Sequence, residues 1–377
     1  MEKNAVLIFS GWNERAIIAF CRFCKLNSIV FFIVAKDIHD DILLSDYKEN
    51  VIFIREDSEL SVSFFQTLHE KIKTEFIIDN VLILPSTEYL NRSLFFIQNE
   101  LQQIGYVIPL CSKDLYDSIS NKYSFGLLCE KHNIFVPQEI PLPTEFLTPF
   151  VAKPVSYFDA NNMTPKPQII LNKEMYDDFK KLNLSNFYYQ EYVEGESYYL
   201  LYYFSKKGRF SIYSQKNLIQ QHDGLSIIAA ESSDIHKHSG VEVFSNMLMD
   251  IGYTGLLMIE IRLWKNKFYM IEANPRLWGP SQLILDSGMT LFEDFLEDWD
   301  FSLNIKLTDY KEKIKYFWLG GIYETTSLQK TIKFHESYSS TDFVENFSLW
   351  LDSDIYNRAD TEKKILKELQ NNYIYKA

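Results

Sequence analysis

The stretch that most constrains the chain is Gly252–Pro280, GYTGLLMIEIRLWKNKFYMIEANPRLWGP, because it embeds two carboxylates in apolar sequence. Leu256–Leu263 and Lys267–Ala273 read as short strands joined at Trp264-Lys265-Asn266-Lys267, which predicts a hairpin. Glu260 and Glu272 stand twelve positions apart about that turn, so strand pairing would make them near neighbours. Two carboxylates about 4 Å apart repel by roughly 4 kcal/mol at an effective dielectric of about 20, and a fold avoids this unless positive charge lies between them. A divalent cation is the natural candidate. Asn274 follows Glu272 by two residues, which points its side-chain oxygen to the same side of a continuing strand. Oxygen-only ligands select hard cations such as Mg²⁺, which fills its shell with water and nucleotide phosphates. Arg276 adds a planar cation suited to phosphate or carboxylate. The alternative is that the glutamates face solvent from the outer side of the hairpin.

The rest of the chain bounds the context. At 377 residues it is long enough for two or three domains. A net charge of −13 argues against a general nucleic-acid or anionic-membrane binder. The longest apolar runs, such as Ile29–Ala35, are too short to span a bilayer, and the N-terminus does not resemble a secretory signal, so the expected location is the cytoplasm. Four cysteines do not make a disulfide framework at this size, and the CxxC of Cys21 and Cys24 has no second pair to complete a zinc site.

Apolar strands at Ala5–Phe9, Ile29–Ala35, Val51–Ile54 and Ile77–Leu84 alternate with helical stretches, which predicts a parallel sheet covered on both faces. Such sheets bind ligands beyond the carboxyl ends of their strands, here Ser10-Gly11-Trp12-Asn13 and Pro85-Ser86-Thr87-Glu88. Those turns read equally as helix caps, with Ser86 or Thr87 as the cap, or as substrate contacts. GxGxxG and GxxxxGK[ST] are both absent. A helix begins at Ser120-Asn121-Lys122, and prolines 137, 141 and 143 mark a boundary. Phe150–Pro154 is a strand with Lys153 near its end, and Ser156–Lys166 is a polar loop without glycine. A single helix is expected over Leu283–Leu296, and residues 305–377 show no chemical signature.

Lys122 before an xIxVP turn, Val151-Ala152-Lys153-Pro154, Gln190-Glu191-Tyr192-Val193-Glu194-Gly195-Glu196, and then Glu260, Glu272, Asn274 and Arg276 resemble the ATP-grasp superfamily in order and spacing. The resemblance covers roughly residues 1–300, and Glu272-Ala273-Asn274-Pro275-Arg276-Leu277-Trp278-Gly279 is similar to the carboxylate–amine ligase branch, near D-aspartate ligases and other amino-acid ligases. It implies an α/β and α+β architecture: a Rossmann-like domain over 1–115, a small ATP-grasp subdomain with the hinge over 116–196, a catalytic subdomain over 197–304, and a completing extension over 305–377.

The resemblance also implies roles. Lys122 and Lys153 would hold nucleotide phosphates, and Glu191 with the Val193 backbone would contact the adenine edge. Glu196 would be the ribose acid, although it follows Gly195 earlier than in many relatives, and Lys216 would be a basic residue near the phosphates. Glu260, Glu272 and Asn274 would bind Mg²⁺, with Mn²⁺ as a substitute, and Arg276 with Asn274 would serve the transferring phosphoryl group. Ser156 and Tyr157 could supply hydroxyl donors that the glycine-free loop lacks in backbone amides. The implied activity is an ATP-dependent ligase that activates a small-molecule carboxylate as an acylphosphate for an amine, with a homodimer left open. A carboxylase or kinase acting on a small metabolite, and a nucleotide-binding regulatory protein without catalysis, remain as alternatives.

Overall fold

The computed structural model describes residues 3–56, 59–157, 164–182, 186–307, 309–336 and 338–374, with side chains to residue 370. Three sheets organise it. The first is parallel, ordered β3-β2-β1-β4-β5, from β1 (Asn4–Phe9), β2 (Phe31–Ala35), β3 (Val51–Ile54), β4 (Asn80–Ile83) and β5 (Tyr106–Val107). Its apolar runs are buried on both faces. Along β1, Ala5, Leu7 and Phe9 pack into one core while Val6 and Ile8 pack into another, as the period of two requires. The helix Glu14–Asn27 covers the second face. Its Phe20 meets Phe292 edge-on at 5.0 Å, which joins the parallel sheet to the core that also holds Leu256 and Met258.

The second sheet is antiparallel, ordered β6-β9-β7-β8, from β6 (Glu139–Ile140), β7 (Phe150–Pro154), β8 (Gln168–Ile170) and β9 (Phe187–Glu191). A small core of its own, including Phe150, Ile170, Phe179 and Tyr189, backs it.

The third sheet has seven strands: β10 (Glu196–Phe204), β11 (Phe210–Gln220), β12 (Ile227–Ser233), β13 (Gly255–Trp264), β14 (Lys267–Asn274), β15 (Lys315–Phe317) and β16 (Lys333–Phe334). The order is β14-β13-β10-β11-β12-β15, and β16 pairs with the end of β11. Two cores sandwich it: Tyr199, Leu201 and Met258 face one, while Tyr198, Leu200, Ile259 and Ile261 face the other. Residues beyond 305 therefore contribute two strands to this sheet.

Some sequence expectations change in detail. The helix expected over 283–296 is two helices, Gln282–Asp286 and Leu291–Asp298. Gly288 separates them with φ +74°, and a Cβ there would lie 2.5 Å from the Asp309 carbonyl oxygen. No described helix is long and apolar enough to cross a membrane.

Candidate functional site

The hairpin forms as expected, but a bulge decides what faces the site. Lys265 and Asn266 both take positive φ, 47° and 59°, the geometry of a tight two-residue turn. From that turn the register runs Trp264↔Lys267 to Ile261↔Met270, then slips so that Glu260 opposes Glu272 and Met258 opposes Asn274. A regular ladder would have set Glu260 against Ile271 and turned Glu272 to the other face. The extra residue, Ile271, puts Glu260, Glu272 and Asn274 on one face, a re-aiming typical of bulges. Its carbonyl oxygen accepts a 2.9 Å hydrogen bond from the Lys153 Nζ.

The charges around the pair show how a fold tolerates it. Lys122, in the first turn of the helix Lys122–Lys131, donates to the Glu272 Oε2. Buried Arg262 lies 3.3 Å from the Glu260 Oε1, so each glutamate has its own cation. Burial tends to raise the Glu272 carboxyl, but the Lys122 charge and hydrogen bond, together with the Asn274 amide, outweigh it and hold the group below its usual range. For Glu260 burial prevails over Arg262, and the neighbouring Glu272 adds to the rise. Lys153 is buried; desolvation and then the Lys122 charge bring its ammonium down to about 8, against the pull of Glu272 and Glu260.

Asn274 donates to the Glu272 Oε1 at 2.9 Å, and its Oδ1 accepts from the Arg276 Nη2 at 3.1 Å. Arg276 also donates to the Leu277 carbonyl oxygen at 2.8 Å. Among the described residues no three His, Cys, Asp or Glu side chains form a metal-holding group. The donor set is instead two carboxylates and an amide, all oxygen, which fits a hard cation whose other ligands are phosphate and water.

A cavity of about 250 Å³ opens from this face, lined by Lys122, Lys153, Glu191, Val193, Glu260 and Glu272, among others. Glu191 ends β9, and its backbone N–H donates to the Gln138 carbonyl oxygen at 3.0 Å. Five of the expected nucleotide or metal residues thus share a cavity with Val193, although they come from four separate stretches of chain.

Two do not. Glu196 and Lys216 lie on the opposite face of the seven-stranded sheet, level with Tyr198, and pair with each other at 2.5 Å. Strand parity turns them away from the glutamates, against the placement that their expected roles at ribose and phosphate require, and Ser197 and Asn217, one position along in each case, face the glutamates instead. The Asn217 Nδ2 donates to the Ser197 Oγ at 2.9 Å, and Ser197 reaches the Glu260 Oε1 at 3.4 Å.

Several site residues escaped the sequence reading. Arg262 follows Glu260 by two on the same strand, so period-two alternation could have found it. Gln190 lines the cavity with its Nε2 on the Pro137 carbonyl oxygen at 3.0 Å and its Oε1 buried without a partner among the described residues. The tail contributes His335, whose Nδ1 is 3.1 Å from the Arg262 Nη1, and Lys333, which donates to the Tyr192 hydroxyl at 2.5 Å. No sequence signal marked either one.

A second cavity of about 850 Å³ shares Glu260 and Glu272 with the first and runs to the strand ends at Trp12, Asn13, Thr87 and Glu88. Thr87 is the helix cap, accepting from the Leu90 N–H, while Ser86 is buried. Asn13 bridges the Ser86 and Leu277 carbonyl oxygens at 2.9 and 3.0 Å, holding the turn beside the Arg276 loop. Of the glycine-free loop, 158–163 lie outside the described residues. Tyr157 lines the second cavity under Arg92, whose guanidinium is 4.5 Å from its ring.

No protein-family model matches the chain, and no curated protein does. Solved structures match its fold. An N5-carboxyaminoimidazole ribonucleotide synthetase in its ADP complex superposes with a TM-score of 0.60 at 15% identity over 87% of this chain and 84% of that one. An N5-carboxyaminoimidazole synthetase from Staphylococcus aureus does so at 0.60 and 12%, over 87% and 88%. The biotin carboxylase domain of a Hydrogenobacter thermophilus 2-oxoglutarate carboxylase, with MgADP and bicarbonate, gives 0.59 at 11% identity, over 84% and 73%.

Proposed function

We propose that this chain, which has the ATP-grasp fold, binds ATP with Mg²⁺ and activates a small-molecule carboxylate as an acylphosphate for coupling to an amine. The observation that carries this is the Glu260–Glu272 pair, compensated by Arg262 and Lys122 and placed where the two cavities meet. The smaller cavity suits a nucleotide: Val151, Ile169, Val193 and Leu225 supply apolar wall, and Gln190 and Glu191 supply acceptors. The larger cavity suits the acid and the amine.

In the first step a carboxylate oxygen bonds to the γ-phosphorus while the bond to the bridging oxygen breaks, and ADP leaves with the electron pair. In the second the amine nitrogen attacks the acyl carbon, phosphate leaves, and the nitrogen loses a proton. Positioning and charge neutralisation are most of what a protein offers such a transfer. Mg²⁺, held by Glu260, Glu272 and Asn274, would neutralise phosphate charge. Lys153, anchored on the Ile271 carbonyl, and Lys122 are the cations that meet the phosphates, Lys122 by leaving Glu272. Arg276, fixed by Asn274 and Leu277, faces the larger cavity and meets the transferring group.

The two synthetases and the carboxylase among the fold neighbours favour a second reading, in which bicarbonate takes the place of the carboxylate. Product mass separates the two. Release of ADP and phosphate that depends on both an acid and an amine, with a product lighter than their sum by one water, supports ligation. Nucleotide binding without turnover on any pair rejects it.

A further inference from the structure

We infer that the larger cavity selects an acid bearing a flat aromatic ring, with its carboxylate met by Arg15 and Arg276 and its ring against Trp12. The chemistry that follows binding rests on the ligase reading; the binding selectivity does not. Trp12, in the turn after β1, lines the cavity yet is 65% exposed. An indole left this far in water forgoes most of the apolar burial such a ring can gain. The Lys36 ammonium stands 4.9 Å from its centre, and Gly11, at φ +95°, permits the approach, since a Cβ there would lie 2.3 Å from the Lys36 Cβ. Trp12 is thus braced rather than buried. Tyr89, 46% exposed, lines the same cavity.

The charges in this part of the cavity favour an anion. Its acid, Glu88, is engaged by Arg92 at 2.9 Å. Its guanidiniums, Arg15 and Arg276, have no ion-pair partner among the described residues, and both are fixed in place. The Arg15 Nη1 donates to the Ile227 carbonyl oxygen at 3.0 Å and the Tyr316 hydroxyl at 3.2 Å, and its guanidinium stacks 3.7 Å from the Trp318 ring. Gly279 lies against it so closely that a Cβ would be 2.8 Å from the Nη2. The Arg15 Nε and Nη2 make no hydrogen bond among the described residues, which leaves donors for a carboxylate. At about 850 Å³ the space is far larger than an acid the size of glycine fills.

The test is calorimetry on the full chain with saturating Mg²⁺ and a non-hydrolysable ATP analogue. The probes are L-tryptophan, L-phenylalanine and 4-aminobenzoate against glycine, L-alanine and L-aspartate. The aromatic acids should bind about tenfold more tightly, the scale of one stacked ring. Trp12→Ala should erase that preference, Trp12→Phe should restore it, and Arg15→Gln should weaken all the acids alike. Equal affinities, no binding of any probe, or a preference that survives Trp12→Ala would overturn the inference. An aromatic acid that binds with this preference but supports no ATP turnover with any amine supports the selectivity and counts against the ligase reading instead.

Discussion

The two faces of the seven-stranded sheet each present a lysine–glutamate pair, Lys122–Glu272 on one and Lys216–Glu196 on the other. The residue types are the same and the consequences differ. On the first face a second carboxylate lies directly across the ladder, so the charges are in excess and a cation and phosphates have somewhere to go. On the second the pair is closed: the Lys216 ammonium and the Tyr198 hydroxyl, at 2.5 and 2.7 Å, occupy both Glu196 oxygens. Register, more than residue type, separates the open arrangement from the closed one.

Glu272→Gln should break this contrast most severely. Loss of one carboxylate of the proposed metal set removes several kcal/mol of charge stabilisation, so ADP release should fall at least about 100-fold while folding is retained. Chelation of divalent cations from the native chain should have the same effect. Near-native turnover in the variant would remove Glu272 from the metal set.

Arg262→Met tests the compensation rather than the chemistry. It leaves Glu260 buried beside Glu272 with its own cation gone, and breaking a buried pair in this way costs about 3 kcal/mol. The urea midpoint should fall accordingly. An unchanged midpoint would mean that Glu260 simply takes up a proton.

Lys153 gives the contrast a pH dependence. Its proton leaves near pH 8 in the free protein, against an ordinary value of 10.5. The unfolded chain therefore binds more protons between those values, and this group's share of stability rises with pH across that window. Nucleotide affinity runs the other way, since phosphates favour the ammonium. Affinity for MgADP should fall as pH rises above about 8, by up to about tenfold per pH unit, and Lys153→Met should flatten the profile. A profile that is flat in the native chain would contradict a lysine–phosphate contact.

The sequence discloses one face of the sheet better than the other, and the reason is physical. Two glutamates in apolar strands about a short turn announce their pairing, and alternating apolar runs announce the parallel sheet. The bulge at Ile271 carries no glycine or proline mark, so the pairing of the glutamates is legible in the sequence while the register shift that achieves it is not. Glu196 and Lys216 fall on the face away from Glu260 because a shift of one residue exchanges faces and leaves composition untouched. His335 and Lys333 reach the site by tertiary packing from a segment whose own pattern is unremarkable. Trp12 lies in a turn that the sequence offers as a cap or a substrate contact, but nothing there singles out its ring; the open cavity beside it does.

Lys216→Met should have the smallest effect and bears most directly on the parity argument. Its side chain is 20% exposed and that of Glu196 30%, so the pair is partly solvated and worth about 0.5 kcal/mol. Stability should fall by no more than that, and the KM for ATP should stay within about twofold, because the ammonium lies on the far side of the sheet from Glu260. The Lys216 ammonium also stands 5.8 Å from the centre of the Tyr198 ring, a contact that methionine removes together with the ion pair. A KM raised tenfold or more would mean that Lys216 swings through to the phosphates when nucleotide binds. In that case the two faces would be coupled, and Glu196, released from its partner, would again be available to a ribose.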